Sequence, residues 1–338
     1  MHDDLRLSER SLVVAPMAGG ATTVALLRAA SSAGAFGFLP GGYQTPAALA
    51  ESLGQLRSAG IRHGVNLFCA APTAPDPDAY ARYASELQAE ADPYGIDLSA
   101  IPPTSDDDHW AAKLALLCTE PVPWVSFTFG LPTPGELAQL RAAGSRLAVT
   151  VTTVAEAEQA SRAGIDLLIV QGPAAGGHSA SFDPGAEITA VPTAVRVAEI
   201  AAAVRLPVIA GGGIAGPADV RAVLSAGASA AVIGTLLLRC DESGASVTHQ
   251  RALVDPSFSE TVITRAFTGR PARGLLNGFI RRHEADAPLG YPAIHHLSAG
   301  IRRAAAAAGD ADRVHLWAGT GHAAARTGPA AGILSSLL

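Results

Sequence analysis

Short apolar runs alternate with longer, Ala-rich amphipathic stretches along most of the chain. The runs at Leu12–Met17, Ala35–Leu39, Gly64–Phe68, Trp124–Phe127, Leu147–Val151, Leu167–Gln171, Val208–Ala210 and Ala231–Gly234 read as eight strands. Most are unbroken Val, Ile and Leu without polar alternation, the pattern of parallel strands covered on both faces. The stretches Thr23–Ala33, Pro46–Ala59, Pro134–Ala143, Ala155–Ala163, Thr193–Val204 and Pro217–Ala226 read as helices. All but the fifth end in Ala-Gly, a helix stop, and Pro46, Pro134 and Pro217 sit where first-turn prolines belong. Eight such units within roughly 240 residues predict an α/β fold of the TIM (β/α)8 barrel type. A doubly wound sheet is the alternative, and the strand count favours the barrel.

Two regions break the repeat. Ala71–Pro123 is rich in Pro and Asp (Pro72, Pro75, Pro77, Asp106–Asp108) and predicts a helix around Asp78–Ala91 followed by a loop. Cys240–Asp312 reads as a different unit, with a strand at Thr261–Phe267 and Arg/His-rich segments that could cap the barrel's open end. The expected division is a barrel over 1–240, a smaller lid or substrate domain over 241–311, and a segment over 312–338 that returns to the barrel wall.

Composition narrows the function. With 24 Lys+Arg against 30 Asp+Glu the net charge is −6, which argues against a nucleic-acid binder. Lys113 is the single lysine, so neither a P-loop nor a lysine-rich site is available; its apolar neighbourhood reads as a helix with one solvated lysine. The cysteines Cys69, Cys118 and Cys240 are far apart, with no metal or redox spacing. No apolar run reaches membrane-spanning length, and Met1–Arg10 lacks a signal-peptide core. A cytoplasmic protein is the default; a homodimer is left open.

In a barrel, chemistry gathers at the C-terminal ends of the strands. Glycines cluster there: Gly176-Gly177 after strand six, Gly211-Gly212-Gly213 after strand seven, Gly234-Thr235 after strand eight. Such backbone can bring N–H groups onto a phosphate, helped by the helix beginning near Pro217. His178 follows two glycines on an expected loop at the barrel mouth, where an imidazole can move a proton or hold an anion. Asn66 and Gln171 end strands with amides that need partners, and Met17 with Ala18 can line a flat ring. His295-His296 lacks the companions of a metal site, so no metal is expected. Neither Gly-x-Ser-x-Gly nor GxGxxG after a strand is present.

Taken together, Ala-Pro-Met-Ala-Gly-Gly (15–20), Gly-Val-Asn-Leu-Phe (64–68), Gln-Gly-x-x-Ala-Gly-Gly-His (171–178) and Ala-Gly-Gly-Gly-Ile (210–214) resemble nitronate monooxygenases, once called 2-nitropropane dioxygenases. Gly-Thr (234–235), Cys-Asp-Glu-Ser (240–243), Thr-Arg-Ala-Phe-Thr-Gly-Arg-Pro-Ala-Arg-Gly (264–274) and Leu-Trp-Ala-Gly (316–319) follow in the family's order. The resemblance implies an FMN-binding barrel with a small α/β lid. It implies Gly212, Gly213, Gly234 and Thr235 at the FMN phosphate. Met17, Ala18, Asn66, Gln171, Gly176 and Gly177 would lie along the flavin, with His178 as the catalytic histidine. Tyr291-Pro292, His296-Leu297-Ser298 and Ile301-Arg302 resemble the bacterial class that oxidises propionate 3-nitronate with O2 to a carbonyl compound and nitrite. On this reading a protonated or hydrogen-bonding His178 holds the nitro oxygens, and with neutral nitroalkanes it acts as the base. Lid arginines attract a carboxylate. The chain departs from the family at Val232, where a Gln is usual, and at Ser298 and Gly300, where Thr and Pro are usual. The rivals are an NAD(P)H-dependent flavin reductase of the quinone or enoyl-ACP type and a flavin-binding protein without turnover.

Overall fold

The structure is a computed structural model that describes residues 7–69 and 75–338. Residues 1–6, with most of the charged N-terminal stretch, and Pro72 lie outside them. Eight parallel strands close into a barrel: β1 (Leu12–Val14), β2 (Phe36–Pro40), β3 (Gly64–Phe68), β4 (Trp124–Thr128), β5 (Arg146–Val151), β6 (Leu167–Gln171), β8 (Val208–Gly211) and β9 (Ala230–Ile233). β9 pairs with β1 to complete the ring, with Val13 opposite Val232. The expected (β/α)8 barrel is therefore present.

The lack of polar alternation has a direct cause. Val13, Phe36, Phe38, Trp124, Ala148, Leu167, Ile169 and Ile209 fill the barrel's interior. Their neighbours along the strands, such as Leu12, Val14, Leu39 and Leu168, belong to the larger core beneath the helices. Both faces of each strand are thus dry. The helices α1 (Val24–Ser32), α2 (Pro46–Ser58), α5 (Pro134–Ala142) and α6 (Val154–Arg162) each start at a threonine whose hydroxyl accepts a backbone N–H. In α5 and α6 a glutamate three residues on returns the bond to the cap, closing a capping box.

A second sheet sits beside the barrel: β10 (Thr261–Thr264), β11 (Ala272–Leu275) and the two-residue β7 (Gly177–His178). His178 was expected on a loop; it is instead a strand residue opposite Ala272. The isolated His-Ser-Ala stretch carries no strand signal of its own, because its partner lies about a hundred residues away.

A separate apolar core covers this sheet. It joins α3 (Pro77–Ala91), through Tyr80, Tyr83 and Leu87, to α10 (Gly278–His283) and α11 (Ala293–Ala308), through Phe279, Ile294, Leu297 and Ile301. So the helix expected between strands three and four packs on the unit that follows strand eight. Tyr83 donates to the Ala266 carbonyl at 2.6 Å. Glu90, 4% exposed, binds Arg282 (2.6 Å), His283 (2.9 Å) and Arg313 (2.7 Å). At the chain's end, Ala330 and Leu334 of α12 (Ala330–Ser335) return to the barrel core against α1.

Lys113 corrects another expectation. It lies on α4 (Trp110–Thr119), but its side chain is 1% exposed and pairs with Asp108 at 2.8 Å. The partner sits in the irregular loop before the helix, where periodicity carries no information. Among the described residues, no helix is long and apolar enough to cross a membrane.

Burial raises the Glu90 carboxyl, but Arg282, His283 and Arg313 outweigh it and hold it at about 2. A depressed carboxylate stabilises the fold above its unfolded value and loses that contribution as pH falls. We expect stability to decline from about pH 4.5 towards pH 2 more steeply than in Glu90→Gln. Glu90→Ala should cost about 2 kcal/mol at neutral pH, because it removes the charge-assisted hydrogen bonds that tie two partly exposed arginines and His283 together; urea unfolding measures both.

Candidate active site

A cavity of about 600 Å³ opens at the C-terminal ends of the barrel strands, beneath α11. Its wall includes every residue singled out in the sequence: Met17, Ala18, Asn66, Gln171, Gly176, Gly177, His178, Gly212, Gly213, Gly234 and Thr235. The volume lies within the usual range for cofactor and substrate sites.

Close approach requires glycine at 176 and 212. A Cβ on Gly176 would stand 2.6 Å from the backbone of Ala318 and Gly319. Gly212 has a φ of +123° and a would-be Cβ 2.9 Å from the Gly172 carbonyl, so a side chain there is both strained and crowded. The amides of Gly212, Gly213, Gly234 and Thr235 donate to no backbone acceptor among the described residues. Thr235 Oγ1 accepts from Gly319 N at 2.9 Å, tying the C-terminal segment to this cradle. The helix dipole contributes less than expected here. Asp219 of α8 (Pro217–Ser225) accepts from the Ala215 and Gly216 amides at 2.8 and 3.1 Å, so those donors are spent.

Asn66 is 1% exposed, and its Oδ1 accepts from Ser126 Oγ (2.9 Å) and Thr128 Oγ1 (3.0 Å). The two hydroxyls fix the amide with its NH2 end free. Gln171 does something different. Its Nε2 donates to the His178 carbonyl (3.0 Å) and its Oε1 accepts from Ala180 N (2.8 Å), so it clamps the backbone on both sides of Ser179. Val232 also lines the cavity, with no polar group to offer.

His178 packs among Phe129, Tyr291 and Trp317, with ring centroids 5.9, 5.5 and 5.6 Å away. Its Nε2 lies 2.9 Å from Thr268 Oγ1. Burial, then Arg270 and Arg302, push the imidazole down to about 3. His178 is neutral at physiological pH in the free protein, not the protonated group the sequence allowed.

Sequence reasoning gave the lid arginines a collective role toward a carboxylate but singled out neither Arg270 nor Arg302, and it assigned no site role to Tyr43 or Tyr291. Arg270, 5% exposed, lies 3.9 Å over the Phe129 ring and donates to the Ser179 and Ser181 carbonyls. Arg302, 6% exposed, donates to Ser298 Oγ (3.0 Å) and the His295 carbonyl (2.8 Å). Burial pushes both guanidiniums down to about 10, so both stay charged. Tyr291 donates to the Tyr43 hydroxyl at 3.1 Å, and Tyr43 stacks on His295 at 4.4 Å. His296 turns away to Asp106 at 2.5 Å. The available signals were the quoted segments 264–274 and 291–302, whose arginines fall on buried positions.

Comparison with known proteins gives the same picture. The nitronate monooxygenase family profile matches residues 6–338. A nitronate monooxygenase of Paraburkholderia phytofirmans is 33% identical, covering 97% of this chain and 91% of that protein. A probable nitronate monooxygenase of Staphylococcus aureus is 33% identical, covering 98% and 94%. A solved structure of nitroalkane oxidase from Streptomyces ansochromogenes superposes with a TM-score of 0.92 at 44% identity, covering 98% and 95%. One of FabK from Thermotoga maritima gives 0.75 at 25%, covering 98% and 92%. The family match makes this (β/α)8 barrel, with its glycine-lined cavity, a flavin-dependent oxidoreductase. More narrowly, this chain belongs to the nitronate monooxygenase family, enzymes that oxidise nitronates.

Because Gly176 meets backbone, an alanine there must push the 318–319 strip aside. Gly176→Ala should cost about 1–3 kcal/mol, the usual penalty for overpacking. Thermal unfolding tests this, with Gly54→Ala inside α2, where a Cβ meets nothing within 4 Å, as the control that should gain stability.

Proposed function

We propose that the flavin is FMN and that the substrate is a carboxylate-bearing nitronate, propionate 3-nitronate, oxidised with O2 to a carbonyl compound and nitrite. The observation that carries this reading is the sign of the cavity wall. Arg302 and Arg303 line it beside His178, His249, His295 and His315, which burial holds neutral, and no Asp or Glu does among the described residues. A phosphate, a nitronate and a carboxylate are all anions, and such a wall favours each.

The residues fit an FMN. The unbonded amides of Gly212, Gly213, Gly234 and Thr235 would receive the phosphate. The free NH2 of Asn66 would donate to the ring's edge, and Met17 would pack on its face. Bound FMN supplies the electron-accepting ring. Phe129, Tyr291 and Trp317 exclude water from the space beside His178. Arg302 has a nitrogen, Nη1, with no protein acceptor among the described residues, and this would take the substrate carboxylate. The unit formed by 241–311 covers the site and brings Arg270 and Arg302 to it.

Two experiments test this. FMN-loaded protein is mixed anaerobically with propionate 3-nitronate in one cuvette and NADH or NADPH in another. Loss of flavin absorbance with the nitronate alone is expected; bleaching by the nicotinamide alone would move the protein to the reductases. Separately, Arg302→Gln should raise KM for propionate 3-nitronate by about 10–100-fold, the worth of one charge-assisted hydrogen bond. KM for ethyl nitronate should rise far less. Equal rises would remove the carboxylate from Arg302.

A further inference from the structure

His178 is the group with acid/base chemistry beside the proposed reaction, and which of its nitrogens carries the proton decides what it can do. The answer follows from counting protons at Thr268. This residue is 1% exposed. Its Oγ1 is within reach of three groups: His178 Nε2 at 2.9 Å, the Arg270 carbonyl at 3.2 Å and the Arg270 amide at 3.4 Å. The amide can only donate and the carbonyl can only accept. A hydroxyl has one proton. If it goes to the carbonyl, the oxygen's lone pairs are left for the Arg270 amide and for a proton on Nε2, and all three contacts are satisfied. If it goes to Nε2, the Arg270 carbonyl loses its donor in a buried place, which costs about 1–3 kcal/mol.

The position of that hydroxyl is itself fixed. The amides of Thr268 and Gly269 both donate to the Arg265 carbonyl, at 3.1 and 2.8 Å. Gly269 has a φ of +71°, and a Cβ on it would strike Ile294 and Gly290 within 3.0 Å. This packing fixes the turn and with it the Thr268 Cβ, and the contacts to Arg270 and His178 hold the hydroxyl in its rotamer. On the histidine's side, pairing with Ala272, the Gln171 clamp and the bond from Ser179 N to the Pro271 carbonyl (2.8 Å) hold the backbone. Nδ1 has no hydrogen-bond partner among the described residues, and His178 lines the cavity.

We infer that Thr268 is a positioning residue: it holds the proton of His178 on Nε2, so that the bare Nδ1 faces the substrate as a proton acceptor. This rests on the reading of His178 as the acid/base group. It also selects between the two tasks that the sequence left to His178. A lone pair does not hold an anionic nitronate; it takes the α-proton of the neutral nitroalkane. In that step the C–H proton moves to Nδ1 and the C–H electron pair becomes part of the C=N bond of the nitronate. The imidazolium keeps its Nε2–H on Thr268. Arg270 and Arg302, which make a lone imidazolium unfavourable, stabilise the anion formed beside it, so the pair of charges forms together.

The tautomer can be read without any cofactor or turnover. Protein labelled with nitrogen-15 histidine is examined by long-range proton–nitrogen correlation, with His178→Asn identifying the signal. Wild type and Thr268→Ser should show Nε2 protonated and Nδ1 bare. Thr268→Val, close in shape and without the hydroxyl, should move proton onto Nδ1; Thr268→Ala serves if the valine variant does not fold. A protonated Nδ1 in wild type, or the same tautomer with and without the hydroxyl, overturns the inference. In the FMN-loaded enzyme, kcat/KM is compared for a neutral nitroalkane and for the nitronate made from it. The ratio of the first to the second should fall about a hundredfold in Thr268→Val, the lower end of general-base contributions. It should recover in Thr268→Ser. A parallel fall for both substrates would mean that Thr268 is merely structural. A wild type that oxidises the nitronate normally with its proton on Nδ1 would sink this inference and leave the proposed function standing.

Discussion

The cavity depends on one very short antiparallel pairing, Gly177-His178 against Ala272-Arg273. The chain leaves the barrel at Gln171 and must meet a strand that comes about a hundred residues later. Two ladder positions cannot hold such a junction alone. They are reinforced on one side by Gln171, on the other by Arg270, and from beneath by Gly176 against Ala318–Gly319. Each reinforcement uses a group whose ordinary role is elsewhere: a barrel amide, a guanidinium and the absence of a side chain. Together they make the imidazole a rigid part of the wall, as a site must be to hold reacting groups to a fraction of an ångström.

Charge follows from the same arrangement. Arg270 and Arg302 are buried without a carboxylate, an arrangement that stability alone does not favour. Carbonyl oxygens, hydroxyls and an aromatic face partly satisfy them. The remaining positive field is available to whatever enters. Burial, with this field adding to it, keeps His178, His295 and His315 neutral, and the field draws anions to the cavity, so the same wall bears on proton inventory and on ligand charge.

Much of this was legible in the sequence because it is local. Unbroken apolar runs, first-turn prolines and Ala-Gly stops are short-range signals, and they placed all eight barrel strands within a few residues. The glycine clusters announced a cradle because a positive φ or a close approach leaves its mark in residue type. What was not legible depends on partners distant in the chain. Lys113 looked solvated because Asp108 lies in an irregular loop. His178 looked like a loop residue because its strand partner is Ala272. Gln171 was read as a ligand for a cofactor; its clamp on the backbone of His178 and Ala180 was not visible, because those partners are set by the fold. Arg302 is indistinguishable from a surface arginine until α11 is laid over the barrel.

The cover over the cavity has a consequence for how the molecule comes to be made. Tyr83 meets the Ala266 carbonyl across 183 positions, and Glu90 meets Arg313 across 223. Loop closure over such spans is slow and comes late. During synthesis α3 emerges early, yet the aromatic residues on it have nothing to pack on until the last quarter of the chain has left the ribosome. The nascent protein therefore passes through a stage with barrel strands already exposed and Tyr80, Tyr83 and Leu87 still wet. A chain truncated anywhere before α11 would keep a sticky helix and an uncovered mouth, a substrate for chaperones and proteases and not for chemistry.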